Sequence, residues 1–276
     1  LWRASMSVRD KVCYLASQPA FEAEPVRVVA RLAWWWLRSR IPRAVTVRLH
    51  PWDLRLELPP RWRGVSKLVY AFRERYEPEL AALDHLVRPA AVAVDVGASY
   101  GIYTCVLARL VGPAGRVYAF EPAAEAAAVL RRNVERHGLG WVTVHQTACA
   151  DAPGAAILRH EPDPGRNWLA ASGDGEPVPV VRLDDVVERA DFIKLDVERA
   201  EELVLRGAGR LLETSRPAIL FEINAEAAAR LGLAADGAWR LLAGKGYRFF
   251  RVRRSGEFEK VAVPPPGGNV VALPSR

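Results

Sequence analysis

A chain of 276 residues, half of them hydrophobic, can bury a sizeable core; extensive disorder is excluded, and two full domains would be cramped. Three cysteines, Cys13, Cys105 and Cys149, show neither metal spacing nor even pairing, which fits a reduced, cytoplasmic chain. The net charge of +7 is uneven: residues 1–75 carry 15 Lys or Arg against 6 Asp or Glu and the rest 24 against 26, and since arginine and alanine abound throughout, no nucleic-acid partner is expected.

No run of about 18 uninterrupted apolar residues occurs, so no membrane-spanning helix is expected. The start also lacks the charged-then-apolar layout of a secretory signal. Residues 1–24 read as irregular or loosely helical. Pro25 suits the first turn of a helix, VRVVARLAWWWLRSR follows, and Pro42 stops it. Arg27, Arg31 and Arg38 share one side at helical spacing, with Val29, Leu32 and Trp36 roughly opposite. Such a helix suits peripheral contact with an anionic membrane surface, or a grip on an acidic partner. It also suits a cover whose tryptophans pack on the following domain while its arginines stay solvated. Six of the nine tryptophans lie in the first 62 residues, which favours packing. Residues 1–44 are therefore read as a basic, Trp-rich helical extension.

Residues 45–89 read as a lead-in. Alternation at Val45, Val47, Leu49 and again at Leu54, Leu56, Leu58 predicts a hairpin-like pair broken at Pro51. Residues 65–76 continue as a short helix or extended piece, and 79–87 as a helix closed by Pro89.

The remainder, 90–276, is organised around AVAVDVGASYGIYTCVLARLVGPAGRVYAFE, residues 91–121. It reads as strand, tight loop, helix, strand, acid, the first half of a nucleotide-binding sheet. Gly97 and Gly101 let the backbone turn and approach a ligand. The helix after them offers unpaired N–H groups at its start. Glu121, 24 residues beyond Gly97, sits where an acid can accept hydrogen bonds from ribose hydroxyls. The loop is not the dinucleotide G-x-G-x-x-G, because Ser99 stands at the middle position; this disfavours a nicotinamide-dependent oxidoreductase. It is D-x-G-x-x-x-G, and Asp95 at the strand end would repel a pyrophosphate yet can hold a cationic amine. A ligand with an ammonium group and a ribose describes S-adenosylmethionine.

Further on, 123–137 is a strong helix and 141–145 a third strand. Asp151 follows, fitting either a contact to the adenine amino group or a simple turn, Asp151-Ala-Pro-Gly154. Strands at 155–160 and 178–182 flank a Pro/Gly-rich loop, 161–177, a candidate lid. Strands at 192–197, 218–223, 247–252 and 269–273 alternate with helices at 201–213 and 225–243. This pattern predicts a parallel sheet covered on both faces. Asp95, Glu121, Asp196 and Glu222 each end an apolar run, where such sheets bind ligands. Lys194 is a charge inside a strand that should be buried, and period two puts it beside Asp196, with Glu198 if the strand persists. Lys194 with Asp196 or Glu222 makes either a structural ion pair or the group that orients and deprotonates an acceptor hydroxyl. Asp196, Glu198 and Glu222 could also hold magnesium, though nothing in the sequence requires a metal.

VDVGASYGIYT, VYAFEP, FIKLDVERAEELVLRGA and RPAILFEIN, in that order, resemble the FkbM-type methyltransferases over roughly residues 65–275. The resemblance implies a class I methyltransferase fold, Rossmann-like, of about seven strands, the last entering antiparallel. It also implies S-adenosylmethionine-dependent O-methylation of a small molecule, natural product or glycan. By that likeness Asp95, Gly97, Ser99 and Gly101 line the methionine and ribose end, Glu121 takes the ribose, and Lys194, Asp196 and Glu222 serve the acceptor. Arg199 departs from the pattern, since the family usually has glycine there; the alternative is a non-catalytic membrane- or polyanion-binding module on a retained cofactor fold.

Overall fold

All seven apolar runs read as core strands lie side by side in one sheet of the computed structural model, which describes residues 8–41, 44–59, 64–160, 167–170, 172–197, 200–224, 234 and 236–275. They are β3 (Val92–Val96), β4 (Arg116–Phe120), β5 (Val142–His145), β10 (Phe192–Leu195), β11 (Ala218–Asn224), β12 (Tyr247–Val252) and β14 (Gly267–Pro274). An eighth strand, β13 (Phe258–Val261), was not expected; its half-exposed, charged sequence hides an edge strand from pattern reading. The order is β13-β12-β14-β11-β10-β3-β4-β5, with β14 antiparallel to both of its neighbours and the strands from β11 to β5 parallel. Apart from β13, this is the class I methyltransferase arrangement.

The two-residue period of each strand builds the two layers. Ala93, Val117, Ala119, Phe192 and Leu220 pack with α6 (Ile102–Val111) and α7 (Ala124–Arg136). Val94, Val96, Ile193, Leu195 and Phe221 pack on the other side with α8 (Leu183–Val186), α9 (Glu201–Arg206), α10 (Gly209–Thr214) and α11 (Gly237–Gly244). The helix expected over 201–213 is two helices, because the chain turns at Gly207. A Cβ there would strike the Ala150 carbonyl. The expected helix over 225–243 falls partly outside the described residues.

The strands near 155–160 and 178–182 do not join the main sheet. With β6 (Ala148–Cys149) and β8 (Trp168–Ala170), β7 (Gly154–Arg159) and β9 (Glu176–Val181) form a separate four-stranded sheet in the order β6-β9-β7-β8. The predicted lid is thus partly strand, with 161–166 and 171 outside the described residues.

The lead-in is a hairpin, β1 (Val45–Leu49) with β2 (Leu54–Leu58), followed by α4 (Val65–Phe72) and α5 (Pro78–Leu86). The inward leucines and valines of the hairpin are buried in the main core. Its free edge lies along α7: the Glu57 N–H donates to Asn133 Oδ1 at 2.7 Å, and Asn133 Nδ2 donates to the Glu57 carbonyl at 3.2 Å. One turn further on, His137 Nε2 lies 2.9 Å from the Arg55 nitrogen and 3.0 Å from its carbonyl oxygen.

The leading segment is three helices, α1 (Val8–Ala16), α2 (Pro19–Ala23) and α3 (Pro25–Arg38). Ala20 and Val28 are buried against Leu68, Ala71 and Phe72 of α4, Trp35 joins the main core, and Trp34 stacks on Tyr70 with centroids 5.2 Å apart. Arg31 donates to the Ala71 carbonyl at 3.1 Å. The extension therefore packs, and on the expected side of α3 only Leu32 joins the contact with α4. Val28 and Trp35 turn inward, whereas Val29 and Trp36, one position on in each case, are exposed.

Candidate active site

The carboxyl ends of β3, β4 and β10 meet at the loop 97–101. The N–H groups of Gly97 and Ala98 both donate to the Phe120 carbonyl at 3.0 Å, which fastens the loop to the end of β4. Gly97 (φ +78°) and Gly101 (φ +91°) are left-handed, and so is Ser99 (φ +51°). A Cβ on Gly97 would strike the Asp196 carbonyl oxygen, and one on Gly101 the Leu130 side chain. These glycines thus give the loop its close fit between β10 and α7. Gly97→Ala should cost about 2–4 kcal/mol, because left-handed strain and overpacking combine. A lowered urea midpoint checks this, and an unchanged one contradicts it.

Glu121 follows directly after β4 and is buried, 8% exposed. Its Oε2 accepts the Ser99 N–H and its Oε1 the Ala123 N–H, both at 2.8 Å. Each oxygen keeps a further lone-pair direction, so the carboxylate can still receive a pair of hydroxyls. Burial raises its pKa to about 7 against the pull of those two N–H groups.

Asp95 is fully buried, and its surroundings differ from the sequence reading. Oδ2 accepts the Thr104 hydroxyl at 2.6 Å, and Oδ1 lies 3.7 Å from Lys194 Nζ. The cation it faces is therefore the protein's own. Burial raises the Asp95 pKa, while Lys194 and Thr104 act in the opposite direction. Lys194 pairs in parallel register with Asp95, and its ammonium also donates to Asp196 Oδ2 at 3.2 Å. Burial alone would lower the Lys194 pKa, but the Asp196 and Asp95 carboxylates hold it above its ordinary value, so the side chain stays charged. Asp196, just past β10, is 45% exposed and is the accessible member of the group.

Two residues that the sequence did not single out complete this cluster. The Lys194 ammonium lies 4.7 Å from the centroid of the Tyr103 ring. The Tyr103 hydroxyl donates to Glu77 Oε2 at 2.5 Å. Burial raises the Glu77 pKa to about 7, with Glu79 adding to it. Glu222 lies within β11 opposite Asn269. It shares a face with Leu220, which registers with Lys194, so the strand pattern places it beside the group. Asp151 is exposed in the turn after β6, and no hydrogen bond joins it to Asp95, Ser99 or Glu121 among the described residues. Glu198 and Arg199 lie outside the described residues. Among the described residues, no group of three His, Cys, Asp or Glu is placed to hold a metal ion.

Asn133 was also missed. It is fully buried, and its Nδ2 donates to the Tyr100 carbonyl at 2.8 Å as well as to the hairpin. Its signal was a polar residue on the apolar stripe of α7, in step with Ala126, Val129 and Leu130.

A family model described as the methyltransferase FkbM domain matches residues 95–249, more than half of the chain. Among curated proteins, the chain is similar to the 31-O-demethyl-FK506 methyltransferase FkbM of Streptomyces tacrolimicus, at 31% identity over 44% of this chain and 60% of that one. It is also similar to the AMB antimetabolite synthetase AmbE of Pseudomonas aeruginosa, at 26% identity over 56% of this chain and 10% of that one. The chain thus spans less than two thirds of the length of either relative. Among solved structures, a methyltransferase FkbM from Methylobacillus flagellatus KT superposes with a TM-score of 0.46 at 16% identity, covering 92% of this chain and 61% of that one.

Proposed function

Because the chain belongs to the FkbM methyltransferase family, we propose that it binds S-adenosylmethionine at the loop 97–101 and methylates a hydroxyl oxygen of a small molecule, natural product or glycan. The observation that carries this is Glu121, a buried carboxylate at a strand end. It is fixed by the Ser99 and Ala123 N–H groups, with acceptor capacity left for a vicinal diol. The residues fit that cofactor at the ribose. Gly97, Ser99 and Gly101 shape the loop beneath it, and Asp151 is the candidate for the adenine amino group. Asp95 is a positioning residue, since Lys194 and Thr104 already engage it.

When bound, the cofactor supplies an electrophilic methyl group on a sulfonium. The chain supplies the rest. Asp196 is the accessible base that receives the acceptor's hydroxyl proton. Lys194, kept cationic by two carboxylates, holds Asp196 in place and offers positive charge to the developing alkoxide. Glu222 is the second candidate base. An oxygen acceptor is supported by the name of the relative from Streptomyces tacrolimicus, a 31-O-demethyl-FK506 methyltransferase.

Calorimetry with S-adenosylmethionine, followed by a label-transfer screen over sugars, polyketides and polyphenols, tests the proposal. Absence of cofactor binding would favour a non-catalytic module. Glu121→Ala should weaken the cofactor by about 1.5–3 kcal/mol for each hydrogen bond lost, with the fold intact. The ionised carboxylate is the better acceptor, so affinity should rise with pH through about 7 and fall by up to about tenfold per unit below it. A flat pH profile in the wild type would remove the ribose assignment.

A further inference from the structure

Helix α3 presents a largely exposed face that the active site does not use, with Trp34 at its edge stacked on Tyr70. Six of the seven large apolar side chains exposed among the described residues are Val26, Val29, Trp34, Trp36, Leu37 and Ile41, each between 43 and 80% exposed. All lie on α3 or within three residues of its end. Apolar side chains clustered in this way mark an interaction surface, whereas scattered ones do not. Val28 and Trp35 anchor the opposite side of the helix in the body of the protein, so the exposed face is held in a fixed orientation.

The charges around that face indicate what covers it. α3 contains three arginines and no acid. Arg27 lies along one border of the exposed stripe, 72% exposed and bonded to Glu24 at 2.9 Å, whereas Arg38 turns partly inward with its Nη1 enclosed. Past the helix end, the Arg40 guanidinium stacks 3.5 Å above the Trp36 ring. The first 75 residues carry 15 Lys or Arg against 6 Asp or Glu, whereas the rest of the chain is slightly acidic. No described helix is long and apolar enough to cross a membrane. A convex helix face with tryptophan and leucine along it and arginine at its border has the chemistry of a segment lying in a lipid interface. The indole and guanidinium groups would sit at headgroup level, and anionic headgroups would supply the opposite charge.

We propose that α3 docks this protein on an anionic membrane surface, with Trp36 and Leu37 entering the interface and Arg27 and Arg40 pairing with lipid phosphates. This is independent of the methyl-transfer assignment, because none of these residues belongs to the candidate active site.

Sedimentation of the full chain with phosphatidylcholine vesicles, with and without phosphatidylglycerol, tests the proposal. Binding should require the anionic lipid, weaken as salt is raised, and shift Trp fluorescence to the blue. Trp36→Ser with Leu37→Ser should reduce the partition coefficient by about tenfold or more. Circular dichroism should stay unchanged, since both side chains are exposed. Val263→Ser, an exposed apolar residue outside the leading segment, should leave binding intact. Three results would overturn the docking surface: no sedimentation with anionic vesicles at low salt, undiminished binding by the double variant, or equal binding to neutral vesicles. Self-association in light scattering that the double variant abolishes would also overturn it, assigning the face to a second copy of the chain.

Discussion

Asp196→Asn should lower turnover by about 10²-fold or more while leaving cofactor affinity nearly unchanged. The substitution preserves shape and removes both charge and basicity. Asp196 directly follows β10 with its carboxylate half-exposed, and Lys194, buried beneath it, donates to it at 3.2 Å. A carboxylate held by a buried cation on one side and open on the other can receive a proton from an acceptor without relocating. If Asp196 served only as a partner for Lys194, the variant would lose stability first, and its folded fraction would turn over normally. Single-turnover rates on protein purified by gel filtration separate the two cases. Normal rates from folded Asp196→Asn would sink the base assignment and transfer it to Glu222.

Asp95→Ala should destabilise the protein by about 3–5 kcal/mol, the usual consequence of removing one side of a buried charged pair. Asp95 is fully buried, and its loss leaves the Thr104 hydroxyl without its acceptor and Lys194 with Asp196 as its remaining close carboxylate. Asp95→Asn retains an acceptor for Thr104 and should cost less. Urea unfolding of the pair of variants reads the difference. A loss under about 1 kcal/mol for Asp95→Ala would mean that water replaces the carboxylate, and that the Asp95–Lys194 contact does not order the strand ends.

Much of this arrangement was legible in the sequence because it consists of local exceptions. Asp95, Lys194 and Glu121 are charges placed within or directly after apolar runs, and a buried strand has few reasons to carry them. Period two alone put Lys194 and Asp196 together, and the structure joins them. Glu77 and Tyr103 were not legible, because 26 residues separate them and their contact exists only once α5 has packed against α6. The Lys194 contact of Asp95 was not legible for a related reason. A strand-end acid announces that it needs a cation, but only the parallel pairing of β3 with β10 shows that Lys194 provides it. The small sheet shows the same limit: alternation identified β7 and β9 as strands, yet nothing in alternation says which sheet a strand joins. On α3 Leu32 packs as read, but Val28 and Trp35 turn inward in place of Val29 and Trp36, because apolar residues surround most of that helix and the packing of α4 decided among them.

The contact between Asn133 and the hairpin amounts to a side chain standing in for a strand. Its amide meets both backbone groups of Glu57, as a neighbouring strand would, and so closes an edge that is otherwise a template for adhesion between chains. The same nitrogen also holds the Tyr100 carbonyl, inside the turn proposed to receive the cofactor. Hairpin and turn are therefore two ends of one rivet. A ligand that tightens the turn should then slow amide exchange at Glu57, whose N–H is held by the same side chain.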